Sequence, residues 1–257
     1  MKSADSAANV SEQMRLLGEA VEIGEKLELP HGHKGRLYDM AANSYYNGQD
    51  NKKAEACFIL AIQNWVQAGV PHDSPPIVEI SLKMANIYKA TNQLPKAHSG
   101  YKWCVDTAKA YLSQEEAQSN LQNFKSLYGI TLDALGRFLY ETGKPEEALP
   151  VIQESIQVAE EIGSAQLTTL KINFRYVNGL ISGPFKHIIN YNFIYSSVLA
   201  EMGRHDESID VLNEIINSNS SEQRAKVTAL INKGLLYSIK MDRKDDASLI
   251  FKEAVKE

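Results

Sequence analysis

Five times along these 257 residues a small side chain is followed, about twelve positions later, by a second small one. The pairs are Ala42/Ala54, Ala85/Ala97, Gly136/Ala148, Ser196/Ser208 and Gly234/Ala247. Three positions after the first member of four pairs stands Tyr45, Tyr88, Leu139 or Leu199. Four positions after the second member stands Phe58, Tyr101, Ile152, Leu212 or Phe251. No other feature constrains the fold as strongly. Two small residues let antiparallel helices cross closely, and the larger residues fill the space around the crossing. Such a chain builds its core pair by pair along an axis instead of collecting it at one centre.

This spacing is the tetratricopeptide pattern. The expected fold is therefore all-α, a right-handed superhelical solenoid of about five helix pairs. The polar residues 1–13 are expected to be disordered, ahead of a single solenoid domain over 14–257. Met14, Leu17, Val21, Ile23 and Leu27 follow a helical period and read as the second helix of an incomplete leading repeat. Repeat one follows from about Lys34 to Val66, with a turn at Gly48-Gln49-Asp50-Asn51. Residues 68–76, with Gly69 and Pro71, Pro75 and Pro76, are expected to form a loop. Repeat two covers about Ile77 to Ala110. Repeat three, Tyr128 to Ile162, lies nearest the consensus, with a turn glycine at 143, Pro145 at the helix start and Glu146-Glu147 in its first turn. Repeats four and five cover about Asn190–Ile216 and Ala225–Lys256.

Ala54, Ala97, Ala148, Ser208 and Ala247 stand 43, 51, 60 and 39 residues apart. A bare repeat needs about 34, so helices must lengthen or segments must be inserted. The polar stretch from Ser113 to Lys125 suits longer helices. The excess between repeats three and four, about 167–189, is different. Leu170, Ile172, Phe174 and Tyr176 alternate with polar residues, and Val177-Asn178-Gly179-Leu180 is a hairpin signal. This insertion reads as a hairpin-like contact arm with Tyr176, Asn178, Leu180, Ile181 and Phe185 at its tip, as a cover over the joint between repeats, or as a helix extension.

Lys and Arg number 27 against 32 Asp and Glu, a net charge of −5, and no basic stripe for nucleic acid is present. No apolar run is long enough to span a bilayer, and the first ten residues fit neither a secretory signal nor an Arg-rich transit peptide. Glu257 directly follows a second helix, as expected of a trimmed chain or of an end that docks on a partner. Cys57 and Cys104 read as packing residues. Six scattered histidines, of which only His31 and His33 are close, do not make a metal site. No nucleophile elbow, phosphate loop or zinc-protease motif occurs. No enzymatic activity, metal or cofactor is expected.

Counting three back and one and four forward from each first-helix small residue gives the positions facing the groove of such an array. They are Asp39, Asn43, Tyr46; Leu82, Asn86, Lys89; Asp133, Arg137, Tyr140; and Phe193, Ser197, Ala200. Asn43 and Asn86 with Arg137 could hydrogen-bond an extended peptide, because an amide both donates and accepts; the bland alternative is a wet polar surface. Asp39 and Leu82 stand where chaperone-binding arrays carry lysine, so a clamp for chaperone C-terminal tails is not expected.

The run from Pro76 to Tyr88, with Glu79-Ile-Ser-Leu-Lys83, and the run from Lys96 to Thr107, with Tyr101-Lys-Trp-Cys104, resemble the second repeat of the mitochondrial tetratricopeptide repeat protein 19 family. Gly129 to Leu139 and Ala159-Glu-Glu-Ile162 resemble its next repeat, and Tyr38-Asp39 with Ala54-Glu55 the one before. The resemblance covers about 38–162. It implies a non-enzymatic factor on the intermembrane-space side of the mitochondrial inner membrane. Such a factor meets the membrane only through its partner, respiratory complex III, preserves that complex's function and assembly, and helps to clear fragments of the Rieske iron–sulfur subunit. Long-spaced repeats also occur in kinesin light chains, which leaves a cytosolic peptide or cargo adaptor as the alternative.

Overall fold

The computed structural model describes residues 2–113, 121–162, 195–218 and 223–256. All regular structure among them is helical. The helices fall into two compact units, each treated by itself: described residues up to 113 form the first, and those from 121 onward the second.

In the first unit α1 (Lys2–Lys26) packs on α2 (His31–Asn47), α2 pairs with α3 (Asn51–Gln67), and α4 (Pro75–Ala90) pairs with α5 (Leu94–Leu112). Ala42, Ala54, Ala85 and Ala97 are fully buried, as close crossings require. Phe58 is also fully buried, in a core with Ile80 and Ile87 flanked by Tyr45, Tyr46 and Trp65. Burying a side chain of that size contributes about 3 kcal/mol. Cys104 packs with no exposure, its thiol donating to the Val78 carbonyl at 3.7 Å, and burial pushes its pKa up to about 12.

Two boundaries differ from expectation. Helix α1 runs back through residues expected to be disordered. Those residues are mostly Ala, Ser, Glu and Gln, which tolerate helix well, and Arg15 ties Glu12 to Glu19 along the exposed face. The expected loop through Pro76 ends sooner, because Pro75 and Pro76 open α4. Proline's missing N–H is harmless in a first turn, where no carbonyl awaits it.

In the second unit α6 (Leu121–Glu141) pairs with α7 (Pro145–Ile162). Helix α6 starts before Lys125, so helix lengthening takes up that part of the spacing; residues 114–120 are outside the described set. Residues 195–201 are helical and precede α8 (His205–Asn217). Then come α9 (Gln223–Leu235), a π-helical turn at Leu236–Lys240, and α10 (Lys244–Ala254). The Ser196 and Ser208 hydroxyls lie 3.0 Å apart at their crossing, and Ser208 Oγ also donates to the Ser196 carbonyl at 2.8 Å.

Each pair turns through one residue with positive φ: Gln49, Asn92, Gly143, Gly203 and Asp242. In the first four pairs it stands seven positions after the first small residue. In the fifth it stands eight after Gly234, and the Gly234/Ala247 spacing is likewise one residue longer than in the other pairs. The π-helical turn absorbs that residue: the Met241 amide reaches back five positions to the Leu236 carbonyl, at 3.2 Å. The insertion at 167–189 lies outside the described residues.

Candidate functional site

In the first unit, Asp39 and Asn43 are one turn apart on α2, and Glu79, Lys83 and Asn86 share a face of α4. Lys83 is only 5% exposed, which demands partners for its ammonium. It donates to Asn43 Oδ1 at 2.7 Å and lies 5.7 Å from the centre of the Phe58 ring. Asn43 Nδ2 in turn donates to Asp39 Oδ1 at 2.9 Å and to the Asp39 carbonyl at 2.7 Å. Burial holds Lys83 below the usual ammonium range, against the pull of Asp39 and Glu79. Burial lifts Asp39 above the usual carboxylate range, opposed by Lys83 and Asn43. Glu79 is raised the same way, by burial first, with Lys83 opposing and Asp39 adding to it.

These bonds revise the peptide-holding expectation. Asn43 is already shared between Asp39 and Lys83. Asn86 Oδ1 accepts from the Tyr101 hydroxyl at 2.6 Å, and its amide bonds Tyr46. Both asparagines order the first unit internally instead of presenting open amides. Leu82 is 1% exposed and belongs to the core, not to the groove. One residue on, about 100° further round the helix, Lys83 turns to Asn43 of α2 instead.

Arg137 belongs to the second unit, Asn43 and Asn86 to the first. Its Nε donates to both Asp133 oxygens, at 2.7 and 2.8 Å. Burial lifts the Asp133 carboxyl above its usual range while Arg137 opposes that. Arg137 therefore also has a partner one turn away in its own helix.

Three other expected groove positions do come together. Tyr140 from α6 and Ser197 and Ala200 from helix 195–201 line a cleft of about 190 Å³ with Leu235 and Ile239. Ser196, Ser208 and Leu212 also line it. Lys240 and Glu201, both cleft residues, form an ion pair at 3.1 Å. Leu235 is 43% and Ile239 70% exposed, large values for such side chains. Sequence reasoning stopped one repeat short of this feature. Ile231, Leu235 and Ile239 recur every four residues, a visible apolar stripe. Glu79 and Lys83, spaced by four, were the corresponding signal in the first unit.

Tyr176, Asn178, Leu180, Ile181 and Phe185 lie outside the described residues, as does Phe193. Among the described residues, no cluster of three or more His, Cys, Asp or Glu could hold a metal, and no helix is long and apolar enough to cross a membrane.

The tetratricopeptide repeat family model matches residues 130–162, the repeat nearest the consensus. Human mitochondrial tetratricopeptide repeat protein 19 is 30% identical over 132 residues, 49% of this chain and 35% of that protein. The match thus spans little more than a third of that relative's length. Among solved structures, BtubC (BKLC) from P. vanneervenii superposes with a TM-score of 0.63 at 14% identity, covering 96% of this chain and 90% of that one. YrrB, a tetratricopeptide protein with an unusual peptide-binding site, superposes with a TM-score of 0.54 at 14% identity, covering 93% and 91%. The chain thus has the fold of tetratricopeptide-repeat solenoids, carries one segment that matches their repeat model, and resembles, over about half its length, the mitochondrial tetratricopeptide repeat protein 19 sequences.

Proposed function

We propose that this chain is a non-enzymatic mitochondrial binding factor that docks on respiratory complex III and preserves its function and assembly. It does so on the intermembrane-space side of the inner membrane and takes part in the turnover of Rieske iron–sulfur subunit fragments. The observation that carries a binding role is the cleft in the second unit. Groove positions from three successive first helices build it, and it leaves Leu235 and Ile239 open to a guest. The compartment and the partner rest on the resemblance to relatives named mitochondrial and on the runs around Glu79–Lys83 and Tyr101–Cys104. The peptide-binding site of YrrB supports a peptide guest on a fold of this kind.

In this reading Tyr176, Asn178, Leu180, Ile181 and Phe185 supply the docking arm and the cleft holds a segment of the guest. Arg137 borders the guest from the second unit, while Asn43 and Asn86 shape the first unit's face. Co-elution of the purified chain with purified complex III tests the proposal. Wild type is expected to co-elute, and a variant with residues 175–186 replaced by a Gly/Ser linker is expected not to while remaining equally helical. Failure of the wild type to co-elute would sink the complex III reading and favour the cytosolic adaptor.

A further inference from the structure

We infer that the π-helical turn at Leu236–Lys240 determines the specificity of the second unit's cleft, shaping it for one bulky uncharged side chain of an extended peptide. The inference rests on reading that cleft as a peptide site.

In the first four pairs the groove position four residues after the small residue is Tyr46, Lys89, Tyr140 or Ala200. The same count in the fifth gives Ser238. Ser238 is not among the residues lining the cleft; Ile239 is, together with Leu235, Leu236 and Lys240. The one-residue widening of the helix therefore replaces a hydroxyl with an isoleucine at this wall. Restoring an ordinary α-helix there would return Ser238 to the register used elsewhere.

Size and charge then define the guest. A volume of about 190 Å³ falls below the roughly 300–1,000 Å³ of cofactor and drug-sized sites and suits a side chain. Lys240 and Glu201 neutralise one another, so no uncompensated charge in this pair attracts an ionic guest. The apolar surface of Leu235 and Ile239 penalises a charged anchor, which would lose its hydration there. Tyr140 brings a hydroxyl and Asn232 an amide to the lining of the cleft. An amide that donates and accepts is complementary to an extended backbone.

The test uses the whole chain with labelled isoleucine methyl groups and three blocked Gly/Ser heptapeptides carrying a central Leu, Asp or Lys. The Leu peptide is expected to shift the Ile239 methyl and leave that of Ile59, an exposed residue of the first unit, in place. The Asp and Lys peptides are expected to leave both unmoved. Ile239→Ser, and separately deletion of Met241, which removes the extra residue while leaving Ser238 four positions after Gly234, should raise the Leu peptide's Kd about tenfold, the scale of a strong anchor. Equal binding of all three peptides, or unchanged Leu binding by Ile239→Ser, overturns the inference. Unchanged Leu binding by a folded Met241 deletion removes the role of the π-helical turn; if that deletion does not fold, Ile239→Ser decides. Lost peptide selectivity with complex III co-elution intact sinks this inference alone. Retained selectivity without co-elution sinks the complex III reading alone.

Discussion

A β-carbon built on Gly136 would lie 2.6 Å from Ile152 Cγ1. Gly234 repeats the relationship with the ring of Phe251. In both cases the first small residue of a pair faces the large residue four positions after the second. The recurring sequence pattern thus has a direct steric cause.

Gly136→Ala sets two effects against each other. Alanine in a helix interior gains about 1 kcal/mol over glycine. Ile152 is 2% exposed and has little room to yield, and overpacking of this kind costs about 1–3 kcal/mol. The expected outcome is net destabilisation in urea unfolding, with no such loss when Gly136→Ala is made in an Ile152→Ala background. Gly143→Ala is the contrasting case: nothing lies within 4 Å of its added carbon, but φ is +78°. Its cost of about 1–2 kcal/mol is conformational and should not respond to Ile152→Ala. A Gly136→Ala chain as stable as wild type would show that Ile152 moves aside.

The Ser196/Ser208 crossing predicts non-additivity. Ser208→Ala removes two hydrogen bonds and leaves the buried Ser196 hydroxyl without the Ser208 partner, for a cost of about 1 kcal/mol. Adding Ser196→Ala should cost nothing more, because Ala42 and Ala54 form the equivalent crossing with full burial and no hydroxyl. Urea midpoints of the two singles and the double provide the cycle. Additive losses would mean that Ser196 has another essential partner.

The raised carboxyls of Asp39 and Glu79 give a pH dependence opposite to ordinary acid unfolding. Above the unfolded values of 3.8 and 4.5 the folded chain still holds protons that the unfolded chain has released. Stability from these groups is therefore present at low pH and declines as pH rises through the interval up to the folded values. Asp39→Asn keeps an oxygen for Asn43 and cannot ionise. Its stability relative to wild type should grow across that interval and vanish toward the acid end. Thermal unfolding at several pH values measures it, and a constant difference would mean that Asp39 does not titrate differently on folding.

The crossings and most turns were legible because each uses one local rule: a small residue where backbones touch, and a Gly, Asn or Asp with positive φ where the pair reverses; Gln49 is the exception, beside a Gly48 that keeps negative φ. Glu79 and Lys83 were less legible. A fixed count from Ala85 selected Leu82, yet helix rotation turns Leu82 inward and brings Lys83 to Asn43. Nor does spacing reveal that Asn43 and Asn86 would be occupied by Lys83 and Tyr101, since those partners come from other helices. The extra residue in the fifth pair was visible as an irregularity. Its accommodation as a π-helical turn, and the placement of Ile239 that results, depend on packing around Gly234 and Phe251.

The two cysteines are predicted to differ in reactivity because the thiolate is the reacting form. Burial raises the Cys57 thiol, with Asp50 adding and Lys53 opposing, but its side chain is only half-buried. Cys104 has no exposure, sits between α4 and α5 with its thiol toward Val78, and is pushed up to about 12. A maleimide should label Cys57 first, more slowly than a free thiol, and Cys104 only when the α4/α5 pair opens. Cys104 labelling should then accelerate in moderate urea, and at high reagent concentration its rate should stop depending on reagent because opening governs it. Intact-mass analysis resolves the two steps in the Cys57→Ser chain, which leaves Cys104 alone. Rapid labelling of that variant without denaturant would mean that the pair opens far more readily than its packed core implies.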